Sequence, residues 1–150
     1  MEIKKIVPCI WLTADGGKLA KVIAYYKAVF NQNLQPGKVI TLGKTPSGYT
    51  ELCEVEIFGQ QYSLMNTELE HQPQTDAVSF MIYCEDQKEI DHFWDYFTQH
   101  GKEAECGWCI DKYGIRWQII PKNLDVLMGK ANSMEVMMKQ KKIIISEYQD

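Results

Sequence analysis

Two cysteines three residues apart, Cys106 and Cys109, form the clearest chemical motif of the sequence. A redox Cys-x-x-Cys pair works from the N-terminus of a helix, where the macrodipole lowers the thiol pKa. This pair lies between a predicted helix and a predicted hairpin turn. We therefore expect it on a strand, where residues i and i+3 point to opposite faces. No second Cys-x-x-Cys motif follows to complete a zinc site, so the pattern favours a structural role.

The histidines and the one glycine pair offer no stronger motif. His71 stands in a polar linker, and His92 and His100 stand on or beside a predicted helix, with no metal-ligand spacing between them. We expect all three at the surface. The Gly16-Gly17 pair lacks the further spaced glycine of a cofactor-binding Rossmann turn, and is typical of a turn before a helix. Methyl transfer with a bound nucleotide-type cofactor is therefore not supported.

Composition narrows the class of protein. Of the 150 residues, 45% are hydrophobic and 24% charged, as in an ordinary globular domain. A net charge of −4 gives no basic footprint for nucleic acid. No apolar stretch approaches the ~20 residues of a membrane span. The sequence begins without a signal-peptide pattern and has five cysteines, an odd number that suits a reducing compartment. We expect a cytoplasmic protein.

An internal repeat supplies the elements that position these residues. A short apolar strand at 6–13 precedes a helix, and a second strand at 80–84 precedes another. Corresponding residues of the two helices lie 71 positions apart (86 minus 15, for example). Each helix carries an apolar face at i, i+3, i+4 and i+7, behind an aspartate expected to cap it. The matched pairs are Asp15 and Asp86, Leu19 and Ile90, Val22 and Phe93, Ile23 and Trp94, and Tyr26 and Phe97.

Hairpin patterns follow both helices, so each unit reads as βαβββ and the fold class is α+β with two tandem βαβββ modules. The modules span about 4–66 and 77–121, joined by a linker at 67–76, in one domain of 150 residues. An earlier strand is predicted at 39–42. An appendix at 122–150 contains two short helices, the second capped by Ser133. Met134, Met137 and Met138 share a face of that helix, as in a core or a dimer interface.

Two tandem βαβββ units resemble the vicinal oxygen chelate superfamily, which includes glyoxalase I, bleomycin and fosfomycin resistance proteins and extradiol dioxygenases. Three segments are similar to its PhnB-like branch, often labelled demethylubiquinone methyltransferase-like. The resemblance implies a domain of two curved half-barrels with C-terminal helices, paired in a homodimer. The segments run from Pro8-Cys9-Ile10-Trp11-Leu12 to Tyr25, Tyr26 and Phe30, from Val78 to Gln87, and from Cys106 through Asp111-Lys112-Tyr113-Gly114 to Pro121.

The superfamily's metal ligands are histidine or glutamine on the first strand of a module and glutamate on the last. Carried over to this chain, those positions fall near Pro8 and Ala77 or Ser79, near Met65 or Asn66, and at Gln118. Gln118 alone is a potential ligand, and one neutral amide does not hold a divalent ion. We therefore expect no metal and no cofactor.

The same inward positions predict a small-molecule cavity. They place Ile10 and Leu12 inward, and they leave Cys9, Trp11 and Trp117 as core. Arg116 favours an anionic ligand where it faces the cavity, and the alternative is an edge arginine that points to solvent. Trp108 is available to stack an aromatic ligand or to join the core. The predicted ligand-binding residues are Arg116, Gln118, Ser79, Asn66 and Trp108.

The leading hypothesis is thus a metal-independent small-molecule-binding protein, with whether it is an enzyme left open. One alternative is a metal-dependent lyase, isomerase or dioxygenase-type enzyme with an atypical site. A second is a dimeric interaction module whose cavity is vestigial.

Overall fold

A computed structural model describes residues 1–70 and 73–150. The chain forms two compact units, Met1–Gln72 and Pro73–Asp150, and the boundary falls inside the predicted linker. His71 lies outside the described residues. The grouping of both units into one domain stays a prediction. None of the helices in the described ranges is long and apolar enough to cross a membrane.

The first unit is one four-stranded sheet with one helix. Its strands stand in the order β1-β4-β3-β2, with β1 parallel to β4 and the other pairs antiparallel. A 3-10 turn at Asp15–Gly17 precedes the helix and another follows it at Asn31–Asn33. The elements are β1 Cys9–Leu12, α1 Ala20–Phe30, β2 Leu34–Thr45, β3 Gly48–Ile57 and β4 Gln60–Thr67.

The second unit repeats this arrangement. Its strands stand in the order β5-β8-β7-β6, again with the first and last strands parallel and the others antiparallel. The α+β class with two tandem βαβββ modules is thereby confirmed. The elements are β5 Phe80–Cys84, α2 Gln87–Gln99, β6 Lys102–Glu103, β7 Trp108–Ile110 and β8 Arg116–Pro121, followed by α3 Leu124–Met128 and α4 Ser133–Lys139.

The repeated helix faces are buried as predicted. Leu19, Val22 and Tyr26 are buried in the first unit, with Ile23 half-buried beside them. In the second unit the whole predicted face is buried, and Phe97 stacks on Trp117 of β8 with the ring centroids 4.8 Å apart. Trp117 therefore belongs to the core, as predicted.

The two predicted aspartate caps have different outcomes. Asp86 is the N-cap of α2, and its carboxylate accepts a hydrogen bond from the Glu89 backbone N–H at 2.9 Å. Asp15 caps nothing, because the 3-10 turn that contains it delays the start of α1 to Ala20. The prediction for Asp15 is wrong. Gly17 explains the turn, since a Cβ at this position would clash with the Tyr49 carbonyl oxygen.

The orientation predicted for β1 is also wrong. Cys9 and Trp11 are exposed, whereas Leu12 is buried with its strand partner Asn66. The buried side of the first sheet therefore carries Leu12 and Leu64, and Cys9 and Trp11 lie on the other side. The 71-residue offset matches the two helices, but it does not determine which side chains of a strand point toward the helix, because these alternate from one face to the other.

The C-terminal part fastens the second sheet. An apolar cluster joins Ile120 of β8 to Leu127, Ile143 and Tyr148. The C-terminal strap, residues 140–148, also accepts two hydrogen bonds from the turn before β7: Cys106 N–H to Gln140 O and Gly107 N–H to Lys141 O, at 2.9 and 2.8 Å.

The cap predicted at Ser133 is wrong as well. Asn132 precedes α4, and the Ser133 hydroxyl donates instead to the Met128 carbonyl at 3.0 Å.

Candidate functional site

Each sheet has one side buried against its helix and one open face. In β8, Trp117 points toward α2, so its neighbours Arg116 and Gln118 point to the open face of the second sheet. Trp108 of β7 and Met81 of β5 are the strand partners of Gln118 and share that face. The structure therefore brings four of the five predicted residues to one face: Arg116, Gln118, Ser79 and Trp108.

A side-chain hydrogen bond links two of these residues directly. The Gln118 amide Nε2 donates to the Ser79 hydroxyl at 2.9 Å, across the parallel pair of β5 and β8. Gln118 Oε1 accepts no hydrogen bond from any described residue, and the Ser79 hydroxyl keeps its proton for donation. The pair thus offers one acceptor and one donor beside the half-buried Trp108.

Arg116 is held by protein groups. Its Nε donates to Asp76 Oδ1 at 2.9 Å and its Nη1 donates to the Gly114 carbonyl at 2.7 Å. The arginine side chain is only 18% exposed, whereas the Asp76 side chain is 76% exposed. Because Asp76 supplies the counter-charge, burial of the guanidinium does not require an anionic ligand.

Asn66 does not share this surface. It is fully buried on the helix side of the first sheet, and its side-chain amide forms hydrogen bonds with the backbone on both sides of the turn before α1. It accepts from Ala14 N–H at 2.9 Å and donates to Ala14 O at 2.9 Å and to Lys18 O at 2.6 Å. The prediction of Asn66 as a cavity residue is wrong, because Asn66 is the strand partner of Leu12 and lies with it on the buried side of the sheet.

The cysteine pair also departs from its predicted place. Cys106 lies in a turn with a φ of 56°, not on a strand, and its thiol donates to the Met137 carbonyl at 3.3 Å. Cys109 is on β7 and fully buried, and burial, with the charges of Asp111 and Glu103, raises the pKa of its thiol to about 12. A thiol with so high a pKa is a weak nucleophile at neutral pH.

The residues at the superfamily's metal positions do not fit a divalent ion. The second sheet offers one amide and one hydroxyl, Gln118 and Ser79, which bond to each other. Within residues 1–70 and 73–150, no three His, Cys, Asp or Glu side chains come close enough to hold a metal. His92 and His100 are exposed, as expected.

The open face of the first sheet was missed at the sequence level. Strand pairing places Cys9 next to Ser63, and Ser63 next to Glu54, in one row across β1, β4 and β3. A parallel row contains Trp11, Met65 and Leu52. The signal for this face is the alternation in β3, where Glu54 and Glu56 flank the buried Val55.

Comparison with known proteins identifies relatives in sequence and fold. The family model described as 3-demethylubiquinone-9 3-methyltransferase matches residues 4–120. No curated protein matches the sequence. The structure is similar to that of a protein from Bacillus cereus described as a putative 3-demethylubiquinone-9 3-methyltransferase, PhnB protein. The TM-score is 0.64 at 23% identity, over 79% of this chain and 99% of the other.

Two structures of the fosfomycin resistance protein FosX from Listeria monocytogenes are also similar, both at 14% identity. One has a TM-score of 0.54 and covers 87% of this chain and 100% of that one. The other, a variant in complex with Mn(II) and 1S,2S-dihydroxypropylphosphonic acid, has a TM-score of 0.51 and covers 83% and 98%. At these identities the likeness establishes the fold, which is that of the vicinal oxygen chelate superfamily.

Proposed function

Because the chain belongs to the 3-demethylubiquinone-9 3-methyltransferase family, a PhnB-like branch of the vicinal oxygen chelate superfamily, we propose that it binds a small organic molecule without a metal. The proposed site is the open face of the second sheet. The observation that carries the proposal is the Gln118–Ser79 pair beside Trp108 and Met81. A few polar groups on a largely apolar wall describe most small-molecule sites.

The chemistry of this face favours a neutral aromatic ligand that both donates and accepts hydrogen bonds. Gln118 Oε1 offers an acceptor and Ser79 a donor, while Trp108 offers a ring for stacking. Arg116, already paired with Asp76, contributes little selectivity for anions. The proposed ligand is therefore polar and aromatic, and the anionic alternative loses its main support.

Neither methyl transfer nor metal-assisted catalysis is supported by the same residues. The Gly16-Gly17 turn packs against the Tyr49 carbonyl and follows the first strand of a mixed sheet, so it does not form the glycine-rich loop that binds a cofactor at a parallel sheet. The FosX variant is complexed with Mn(II), but Gln118 and Ser79 would present one amide and one hydroxyl to such an ion.

A thermal-shift titration with benzamide tests the proposal. Benzamide offers an aromatic ring with one donor and one acceptor group, and a ligand at ~100 times its dissociation constant adds about 2.7 kcal/mol of stability. We expect benzamide to stabilise the wild type after dialysis against EDTA, and benzoate to do so no better. Gln118→Ala should abolish the shift, while Gln99→Ala, at an exposed position of α2, should retain it.

Two results would overturn the proposal. Equal shifts in the wild type and in Gln118→Ala would place benzamide elsewhere. A shift that appears only with added Mn²⁺ would favour the metal-dependent enzyme.

A homodimeric interaction module is the second candidate. Met134 and Met138 lie one turn apart on α4 and are 60% and 72% exposed. Exposed methionines on one helix face are suited to adaptable contacts between proteins. We expect light scattering to give the mass of two chains for the wild type. Met134→Lys with Met138→Lys should give one chain with unchanged circular dichroism, and a monomeric wild type would remove this candidate.

A cytoplasmic location is proposed on the cysteines. All five are free thiols, as in proteins of reducing compartments. Cell fractionation followed by immunoblotting tests this, and recovery in an exported fraction would contradict it.

A further inference from the structure

The turn between β6 and β7 holds two consecutive residues in the left-handed backbone region. Cys106 has a φ of 56° and Gly107 a φ of 84°. This conformation is unfavourable for a residue with a Cβ, such as Cys106, and it persists only where the surrounding contacts impose it. Trp108, the proposed stacking residue, follows this turn directly. The contacts that impose the turn therefore also determine how Trp108 enters β7.

The C-terminal strap supplies those contacts. The carbonyls of Gln140 and Lys141 accept hydrogen bonds from the backbone N–H groups of Cys106 and Gly107 at 2.9 and 2.8 Å. The fully buried Ile143 lies against Gly107, where an added Cβ would come within 2.9 Å of Ile143 Cδ1. Two hydrogen bonds and one close apolar contact from the strap thus hold the turn in its left-handed conformation.

The strap also borders the proposed site. Ile120 lies two residues after Gln118 in β8, so it points to the same face of the sheet at a distance of about 7 Å along the strand. Ile120 is nevertheless only 3% exposed, because it packs against apolar residues of the C-terminal part: Leu127, Ile143 and Tyr148. The covered part of the face therefore begins next to Gln118.

One side chain of α2 fastens the strap. The Gln87 amide Nε2 donates to the Ile143 carbonyl at 3.0 Å, and Gln87 Oε1 accepts from the Ile145 backbone N–H at 2.8 Å. Gln87 Nε2 also donates at 3.0 Å to Asp91 Oδ1, which pairs with Lys142 of the strap at 3.1 Å. An apolar side chain in place of Gln87 would leave a donor and an acceptor of the strap backbone without these partners.

We propose that Gln87 is a positioning residue for ligand binding. By holding the strap against the turn at Cys106 and Gly107, it fixes the Trp108 ring where an aromatic ligand stacks. A ring that is already ordered loses less conformational freedom when the ligand binds, so the strap raises affinity. The inference rests on the function proposed for the second sheet, since it takes Trp108 as a binding residue. Gln87 acts through the strap and not by contact with the ligand.

Fluorine NMR of the full chain labelled with 5-fluorotryptophan tests the position of Trp108 without ligand. The chain contains four tryptophans, and Trp108→Phe assigns the resonance of interest. Gln87→Met keeps the length of the side chain but removes its hydrogen bonds. It should shift or broaden the Trp108 resonance and leave that of Trp11, on the first sheet, unchanged. Gln99→Met, at an exposed position of the same helix, is the control and should leave all four resonances unchanged.

Titration with benzamide measures the consequence for binding. Gln87→Met should weaken benzamide binding at least about fivefold, and Gln99→Met by less than about twofold. Trp108→Leu removes the ring, and in this background Gln87→Met should weaken binding by less than about twofold, because the residue that it positions is gone. If Gln87→Met does not fold, as judged by circular dichroism, Lys142→Met takes its place. This variant removes only the ion pairs of the strap and should give the same changes at smaller size.

The outcomes separate the strap from the ligand. An unchanged Trp108 resonance in the strap variant would overturn the inference, and so would equal weakening of binding with and without the Trp108 ring. If benzamide does not bind to the wild type, the proposed function fails. The Trp108 resonance alone then decides whether Gln87 and the strap position the ring.

Discussion

The hairpin regions of the two units differ in length although their strand orders correspond. In the first unit β2 and β3 contain 12 and 10 residues, whereas β6 and β7 contain 2 and 3. The second unit compensates for its shorter strands with the C-terminal strap, whose backbone carbonyls accept hydrogen bonds from the N–H groups of Cys106 and Gly107. Two copies of one topology thus complete their sheets by different means, through strand pairing in one and through a docked segment in the other.

The sharpest way to test this comparison is to truncate one tryptophan on each sheet. Trp117 is buried against Phe97, and its Nε1 donates to Asp111 Oδ2 at 2.8 Å. Trp117→Ala should lower the free energy of unfolding by about 3–5 kcal/mol. Trp11→Ala, on the open face of the first sheet, should cost about 1 kcal/mol through its lost hydrogen bond. Urea denaturation measures both, and equal losses would contradict the assignment of buried and open faces.

A glycine in each hairpin tests the role of the strap. Gly107 has a φ of 84°, and a Cβ there would lie 2.9 Å from Ile143 Cδ1. Gly107→Ala should therefore cost about 2–3 kcal/mol, from both the backbone conformation and the displaced strap. Gly59, between β3 and β4, has a φ of 81° but open space around it. Gly59→Ala should cost about 1 kcal/mol. If both variants lose the same stability in guanidinium chloride, the strap is not tightly docked.

The aspartates that correspond in the repeat should have different effects. Asp86→Ala removes the carboxylate that caps α2 and should cost about 1 kcal/mol. Asp15→Ala removes no cap and should cost no more than about 0.5 kcal/mol. Thermal unfolding of the two variants compares them directly. A larger loss for Asp15→Ala would show that the 3-10 turn depends on that carboxylate.

The smallest expected effect concerns pH and the strap. A hydrogen bond from Gln87, together with the contact to Lys142 at 3.1 Å, holds the pKa of Asp91 below its usual 3.8. Because the pKa is lower in the folded state, this stabilisation is present above about pH 4 and is lost as the pH falls through the folded pKa. Both groups are partly exposed, so we expect it to be below about 1 kcal/mol.

Lys142→Met should make the urea midpoint depend less on pH between about 2 and 4. Lys122→Met, which removes an exposed ion pair with Glu85, is the control. An unchanged pH profile in Lys142→Met would show that the pair does not fasten the strap.

The sequence predicts burial well where the apolar residues of an element lie on one side only, so that the pattern itself identifies the buried side. The faces of α1 and α2 were predictable because a helix with Leu19, Val22 and Tyr26 on one side has only one side to bury. A strand alternates with period two, and its pattern does not say which side is covered when both carry apolar residues, as Cys9 to Leu12 do. The predicted strand at 39–42 is only part of β2, which extends over Leu34–Thr45. Its full length was not predictable because most of the strand is exposed and its sequence shows no alternation.

Contacts between distant residues were beyond sequence reasoning. The pairing of Arg116 with Asp76 joins residues 40 positions apart, and it changes the chemistry expected of the guanidinium. The Ser79–Gln118 bond spans a similar distance, and the positions carried over from the superfamily predict only that both side chains point inward. Family positions and strand alternation thus indicate which side chains share a face, but they do not predict which of them bond to one another.

The position of the strap along the chain has a consequence for biosynthesis. Translation proceeds from the N-terminus, and domains generally fold as units during synthesis. The first sheet has all its strands by Thr67, so it has its complete set of pairing partners while the rest is still being translated. The second sheet has its last strand at Pro121, but the apolar cluster on Ile120 stays open until Ile143 and Tyr148 have left the ribosome. In a nascent chain, the second unit is thus the one whose apolar surface waits longest for the residues that cover it.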